Sequence, residues 1–577
     1  MSLIKKATKV TLEGQGTLTL RTSDYVTSGG EGAIYRKNDT IIKLYLDSSK
    51  MQKDDMSGKI RVLANRLNHP SIVSPKGIVL NENNDSIGYH MKFATGEAFP
   101  RLFTNDFRNQ CGFGEKESII VASKMHEVVQ FAHDQKALLV DANELNWLAD
   151  ISDIKNPTPY AIDVDSWAID RWKASVMMPS IRDWQSKDIG EASDWFAWGV
   201  VSFLLFTGIH PYKGKLDGYK PGDMERRMKD NASVFLPNVG LNKAVRDFKV
   251  IPGPLLDWYQ ATFTQGERTI PPSPLQTGKA NTATGRIMRV VSTTTGGLVY
   301  EKLFSIIGDK VMSVWPCGVV RTESGQLIEL ITKKQIGSVS GTRVAVVARD
   351  DGWLVTEENA QSWQWKYTTR KGKEFPLTVP LNIVQVLRSE ERIFAITETE
   401  LVELVLQQFQ IPVLTILNRW QILGKATTWH QGIGVSNILG AMHLIAPFGD
   451  NNVAITRAKE LDGLKIISAI SGNRFAQVIT FNQRGEYQAH DFAFDAGWNK
   501  YSISTRLVDG PEQNLTILPK GVVASIPEDG QLIITVPSQG VQKVVTDKDI
   551  GSDMNLSRIG DKVVYRKNGE LWSLRMQ

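Results

Sequence analysis

The sequence predicts two unlike halves: an α+β half to about residue 272 and an all-β half from about residue 286. Three observations carry this reading. Residues 1–100 are strand-rich with one helix, residues 101–272 follow helical periodicity, and the remainder repeats short alternating runs between turn signals. A chain of 577 residues accommodates two to four domains.

In the first lobe, residues 1–100, GTLTLRTSDYV (16–26) alternates and reads as one strand, and TIIKLYL (Thr40–Leu46) as another. Asp54 to Leu67 reads as a helix that ends before His69-Pro70. SIVSPKGIVL and SIGYHMKF follow as strands. In the second lobe, residues 101–272, Val121, Met125, Val128 and Ala132 recur at i, i+4, i+7 and i+11 and make an apolar helical stripe. Strand-like LLV and AIDV pieces come next, then an apolar helix from Ser193 and a further helix near Leu255 to Thr262. Gly266 to Gly285 is rich in Pro, Gly, Thr and Ser and reads as a connector, with residues 273–285 as the linker itself.

The remaining stretch, 286–577, contains GRIMRVV, GLVYEKLFSI, DKVMSVW, TRVAVVA, RIFAIT, LIITVP, DKVVYR and ELWSLR. Turn signals such as Asp351-Gly352 and Asn568-Gly569 separate such runs. Ile306–Leu330 and Arg558–Arg575 share one layout, a strand, a gap and a Gly-led strand. Weak self-similarity of this kind fits a β-propeller of six or seven blades, with two unrelated β domains as the alternative. Eight tryptophans, Trp315, Trp353, Trp363, Trp365, Trp420, Trp429, Trp498 and Trp572, read as packing between sheets rather than as a ligand cage. His430, His443 and His490 have no metal-ligand spacing. This half reads as a platform for a protein partner or substrate.

Composition narrows the function. The formal charge is +5 over the whole chain and no basic run occurs, so neither a nucleic-acid nor a membrane-surface partner is expected. Cys111 and Cys317 are too far apart in sequence for a metal motif, and low cysteine use fits a reducing cytoplasm. The first sixteen residues hold no apolar signal-peptide segment. The longest apolar run, Phe196 to Ile209, is too short to span a bilayer comfortably and reads as a buried helix.

Four motifs carry chemistry. SGGEGAIY (Ser28–Tyr35) clusters glycines between two strands, where backbone N–H groups can approach a polyphosphate; a bare hairpin turn would look the same. Lys43 sits among apolar residues in a strand, where a cation needs an anion or an outlet to solvent. Asp141 and Asn146 stand five apart in a loop framed by apolar runs, an acid that can take a hydroxyl proton and an amide that can hold magnesium. Asp163 and Asp165 interrupt a strand end and suit Mg²⁺ bound through phosphates. Any single acid here could equally cap a turn.

In chain order these motifs match the protein-kinase series. The first 272 residues resemble the protein-kinase superfamily, in particular divergent bacterial and phage-encoded Ser/Thr kinase-like proteins, through Gly29-Gly30-Glu31-Gly32 and Ile162-Asp163-Val164-Asp165-Ser166. The resemblance implies a bilobal kinase-like fold that uses ATP and Mg²⁺. It implies that Gly29, Gly30 and Gly32 cover the phosphates, that Ile34, Met91 and Phe93 line the adenine and that Lys43 holds the α- and β-phosphates. Asp141 would be the catalytic acid–base group with Asn143 beside it, and Asn146, Asp163 and Asp165 would face the metal. Asp194 would brace the catalytic loop, and His210-Pro211-Tyr212 and Arg268 would belong to the second lobe.

The chain also departs from the pattern. Leu139 and Val140 replace the usual His-Arg, Asn143 replaces a lysine, and Asp165 replaces the glycine after the metal-binding aspartate. Ser180 stands where an acid should pair Arg268, so Arg268 is expected to lack its partner. No glutamate occurs between Glu31 and Glu82; Lys59 and Ile60 fall where one should pair Lys43. The positioning of Lys43 is therefore the open point of the sequence. The resemblance implies a Ser/Thr protein kinase, with a pseudokinase scaffold as the alternative. A small-molecule phosphotransferase ranks below both, because the His210-Pro211-Tyr212 helix is foreign to that type.

Overall fold

The computed structural model describes residues 7–29, 31–53, 55–174, 177–278, 297–359, 362–527, 530–537, 541–547 and 549–576. Gly30, the run GRIMRVV and the second part of the expected linker lie outside these residues.

Period-two alternation builds the first lobe. β1 (Thr8–Leu12), β2 (Gly16–Leu20), β3 (Tyr25–Ser28), β4 (Gly32–Lys37), β5 (Thr40–Tyr45), β6 (Pro75–Leu80) and β7 (Ser86–Lys92) form one antiparallel sheet in the order β2-β1-β6-β7-β5-β4-β3. The stretch expected as a single strand from Gly16 is broken: Asp24 accepts from the Arg21 N–H and closes a turn over Thr22–Asp24. The two pieces, β2 and β3, therefore occupy opposite edges of the sheet. On β5, Ile42 and Leu44 face one way, into a cluster with Tyr25, Tyr35 and Val79. Tyr45, and Tyr89 on β7, face the other way, against the helices. Between the strands lie α1 (Lys50–Lys53) and α2 (Met56–Arg66), close to the expected helix.

The second lobe is helical. It contains α3 (Phe99–Phe103), α4 (Asn105–Cys111), α5 (Glu115–Asp134), α6 (Glu191–Thr207), α7 (Met224–Lys229) and α8 (Gly253–Gln260). The stripe of α5 is fully buried at Val121, Met125, Val128 and Ala132. α6 is apolar on every side and buried from Ser193 to Thr207, as a helix passing through a core must be. Among the described residues no helix is long and apolar enough to cross a membrane.

The second half folds into seven four-stranded antiparallel sheets among the described residues. Six are consecutive in sequence, spanning 311–338, 344–377, 385–421, 427–457, 465–508 and 515–545. The seventh joins the first strand of this half, Leu298–Phe304, to the last three, between Asn555 and Met576. Each sheet shares a buried apolar cluster with the next, and the seventh shares one with the first. Seven of the eight tryptophans lie in these clusters; Trp363 does not. Packing between sheets is thus what they do.

The two halves touch along a broad surface. Ala426 enters the outer cluster of the first-lobe sheet, with Leu423 and Leu439 beside it. The Tyr25 hydroxyl donates to Asn437, and Lys425 donates to the Arg36 carbonyl. In the helical lobe Lys213 donates to the Asp509 carbonyl and Glu512 accepts from the N–H groups of Asn105 and Asp106 at the start of α4. Burial and the nearby Asp106 push the Glu512 carboxyl up to about 7.

Candidate active site

The site is assembled from strands, one loop and one helix. β5 carries Lys43, only 7% exposed, with Tyr45 two residues on and on the same face. Pairing sets Lys43 opposite Ile34 on β4 and Tyr89 on β7, and Ile41 opposite Met91. Ile34, Ile41 and Met91 therefore share one face with the lysine, an apolar wall of the kind a purine ring needs. Phe93 follows β7; its N–H donates to the Asp39 carbonyl and its ring lies 3.6 Å from the Arg36 guanidinium carbon.

β3 and β4 are joined by the glycine turn. The Gly29 N–H donates to the Gly32 carbonyl, and a side chain on Gly32 would meet the Leu44 carbonyl oxygen at 2.9 Å. Glycine is required there because the neighbouring strand comes too close for a Cβ. Gly88 shows the same constraint from β7: its Cβ would collide with the Lys43 carbonyl. The strand that carries the lysine is thus flanked by two glycines that let its backbone approach.

The loop after α5 is held by Asp194 at the start of α6. One Asp194 oxygen accepts from the Val140 N–H and the other from the Leu139 N–H, each at 2.8 Å, and His133 bonds it at 3.0 Å. Val140 is left-handed, with φ 62°. That backbone costs a β-branched residue on the order of 1–3 kcal/mol, and the two charge-assisted bonds to Asp194 offset it. Asp141 follows directly. Its carboxylate accepts from the Met178 N–H at 2.8 Å and is bonded by Asn143, whose oxygen also accepts from the Leu145 N–H. Burial raises the Asp141 pKa, with the Met178 and Asn143 bonds opposing. The Asn146 amide nitrogen donates to the Asp141 carbonyl at 2.7 Å. Its own carbonyl accepts from the Ile162 N–H and ties this loop to the Asp163 segment.

Asp163 is left-handed, with φ 58°, and its side chain keeps 45% exposure. It takes one hydrogen bond from Lys43 at 2.7 Å. Burial raises its pKa, and Lys43 opposes. Four of the expected groups, Lys43, Asp141, Asn146 and Asp163, therefore converge.

Asp165 does not face a metal. Both of its oxygens accept from Lys43 at 2.8 Å, and the hydroxyls of Tyr45 and Tyr89 each donate to it at 2.6 Å. Burial would raise its pKa, but Lys43 and the tyrosines win and hold it below the usual carboxylate range. Its acceptor positions are taken up by Lys43 and the two tyrosines, in place of the metal-facing position expected from sequence. Lys43, in turn, stays charged: burial alone would favour the neutral amine, and Asp165 and Asp163 outweigh it. The lysine is therefore positioned, although α2 offers no glutamate. Lys59 on α2 is buried and donates to the Asp165 carbonyl at 2.6 Å.

Arg268 also differs from expectation. It makes a bidentate pair with Asp183, at 2.6 and 2.7 Å, three residues beyond the serine that left it without a partner in the sequence. His210 bonds the Ser180 carbonyl, and burial pushes its imidazole down to about 3, so it is a neutral strut. Tyr45, Tyr89 and Asp183 were not legible in advance. The signal for Tyr45 was its i+2 spacing from a buried lysine, which puts a polar tip on the same face.

Among the described residues no group of three His, Cys, Asp or Glu could hold a metal unaided. A magnesium ion held by Asp163 and the Asn146 oxygen would need phosphate oxygens to complete its shell, the usual way Mg²⁺ binds. The second half reaches this site. The Tyr487 hydroxyl donates to buried Glu144, two residues before Asn146, at 3.1 Å. Leu145 and Met178 pack against Ile467, Phe481, Tyr487 and Val508. Gly485, with φ 78°, lies against Ser180 so closely that a Cβ would clash.

No protein-family model matches the chain, and neither does any curated protein. Among solved structures the chain is similar to the autoinhibited serine kinase domain of the giant muscle protein titin. That likeness has 16% identity and a TM-score of 0.31, and covers 43% of this chain and 75% of that one. It is also similar to the twitchin kinase fragment of C. elegans, at 16% identity and a TM-score of 0.33, covering 41% of this chain and about half, 52%, of that fragment. Likenesses at these scores carry no weight.

Proposed function

We propose that the chain is an ATP- and Mg²⁺-dependent Ser/Thr protein kinase whose second half, a seven-bladed β-propeller, binds a protein partner or substrate. One observation supports the kinase reading above the others: Lys43 and Asp163, 120 positions apart, bond each other beside a loop braced by Asp194 that carries Asp141 and Asn146. Each has a role that its surroundings permit. Lys43 is a permanent cation at the inner end and would neutralise phosphate charge. The glycine turn between β3 and β4 would cover the phosphates with backbone N–H groups. Asp141 keeps one oxygen on Met178 and can use the other to orient an acceptor hydroxyl and take its proton. Asn146 and Asp163 would hold the magnesium ion, which supplies charge neutralisation at the transferring group.

Supporting the propeller reading are seven similar sheets, a cluster between every successive pair, and a last sheet that takes one strand from the start of this half and three from the end. Such strand sharing ties the ends of a ring together. Because the ring packs on Met178, the neighbour of Asp141, a peptide acceptor reaches Asp141 freely only when that contact opens.

A pseudokinase scaffold is the second reading, favoured by the missing helix glutamate. It is the weaker one, because Asp165 supplies Lys43 with an anion. Purified full-length protein with labelled ATP, magnesium and a mixture of generic Ser/Thr substrates decides between them. Incorporation into itself or a substrate above the Asp163→Asn control supports the kinase. Incorporation equal to that control ends it.

A further inference from the structure

We propose that Asp165 is the residue that positions Lys43 for phosphoryl transfer, so that the anion expected on α2 has moved to the segment just after Asp163. This rests on the kinase reading above and names a part of its machinery.

The argument begins with charge. α2 presents a cation to the site: Lys59 is buried, and its amine ends on the Asp165 carbonyl. Burial lowers the Lys59 pKa, against the pull of Asp165 and Glu31. The acid at the N-terminal end of α2, Asp55, is turned outward to Arg171. Among the described residues α2 therefore brings no anion to Lys43. A buried ammonium beside a second lysine requires one. Asp165 provides it with both oxygens.

Geometry then fixes the anion. Tyr45 comes from the strand that carries Lys43, and Tyr89 from the strand paired with it. Their hydroxyls hold the Asp165 carboxylate from the sheet side, while Lys59 holds its backbone from the helix side. Lys43 also bonds Asp163, two residues before Asp165, so both acids that answer the lysine come from one short segment. In this arrangement the lysine is in place whenever the Asp163 segment is folded. It does not wait for a movement of α2. The residue is a positioning residue, because its oxygens are taken by Lys43 and the tyrosines.

The test relocates the charge in the full-length chain. Asp165→Asn keeps the shape and removes the charge; Asp165→Gly removes the group; Lys59→Glu with Asp165→Gly puts an acid back on the helix. Initial rates against Mg-ATP concentration, thermal stabilisation by Mg-ATP and unfolding curves are measured for each. We expect Asp165→Asn to lose about 100-fold in kcat/KM for ATP while still melting cooperatively, as expected when a transition-state charge contact is lost. We expect Lys59→Glu with Asp165→Gly to recover at least about tenfold over Asp165→Gly. A residue that merely supports the fold would not be rescued by an acid on another element. Should Asp165→Gly not fold, Asp165→Asn alone decides the matter. An active wild type with an unaffected Asp165→Asn, or a double variant no better than Asp165→Gly, overturns the assignment and leaves the kinase reading standing. A wild type that neither transfers phosphate nor is stabilised by Mg-ATP overturns both.

Discussion

The two halves solve their packing differently, and the candidate site is built mainly from the first of them. In the first half a buried network of charges joins elements far apart in sequence: Lys43 with Asp163 and Asp165, Asp194 with Leu139 and Val140, Arg268 with Asp183. In the second half the repeated sheets are joined by apolar clusters of Trp, Leu, Ile and Val. Each of these needs only a neighbour of similar shape. Burying charge is costly unless every partner is present, so a buried ionic network marks a place where something other than stability is served. An apolar seam between repeats carries no such mark. The lesson is to look for function where burial is expensive.

The largest effect that would sharpen this contrast is on catalysis. Asp163→Asn or Asp141→Asn is expected to lower phosphate transfer by about 10³-fold or more, whereas Trp363→Phe in the second half leaves the rate within about twofold. Labelled ATP and initial rates measure both. A comparable fall for Trp363→Phe would break the division of labour.

Next comes stability. Asp194→Ala strands two backbone N–H groups and leaves Val140 strained without its brace. A loss of about 3–5 kcal/mol is expected in urea unfolding, carried by the transition of the first half. A loss under about 1 kcal/mol would show that the loop is held by other means.

The contact between the halves offers a smaller effect. Gly485→Arg cannot be accommodated against Ser180 and also strains a left-handed backbone. It is expected to loosen the docked ring and raise transfer to an added peptide by about tenfold, with autonomous melting of the two halves seen by calorimetry. An unchanged or lower peptide rate would mean that the ring presents the acceptor rather than shielding Asp141.

The smallest is a pH dependence of the same interface. Glu512 is raised to about 7 in the folded protein from an ordinary value of 4.5, chiefly by burial. A group raised in this way contributes stability fully below 4.5 and loses it as pH rises through about 7. Docking should therefore weaken from about pH 4.5 to about 7 and level off above that, and Glu512→Gln should flatten the profile. Melting curves across that range would reveal the slope or its absence.

Much of the site was legible because its residues keep their order along the chain. Lys43 sits inside a strand, and Asp141, Asn146 and Asp163 in loops, whose apolar flanks show in the sequence, and Asp194 begins a helix too apolar to miss. The alternation of the second half showed sheets, and the layout shared by 306–330 and 558–575 hinted at repetition. What was hidden depended on direction rather than type. Asp165 reads as metal-facing from its place two residues after Asp163, yet past the turn at Val164–Ser166 it meets Lys43, Tyr45 and Tyr89. Arg268 finds Asp183 rather than Ser180 because three further residues bring the chain back within reach. Gly16 to Val26 alternates throughout, and only the Asp24 turn shows that it is two strands.

The sequence by itself determined which residues could bear charge in the interior and the order in which they come. Periodicity is a local property, and so is the presence of a lysine between apolar neighbours. Only the tertiary structure decided which charges answer each other. A carboxylate's partner is set by a few ångströms of approach between segments far apart in the chain, and Lys43 meets Asp165, 122 residues on, where β5 and β7 also bring Tyr45 and Tyr89 to the same carboxylate.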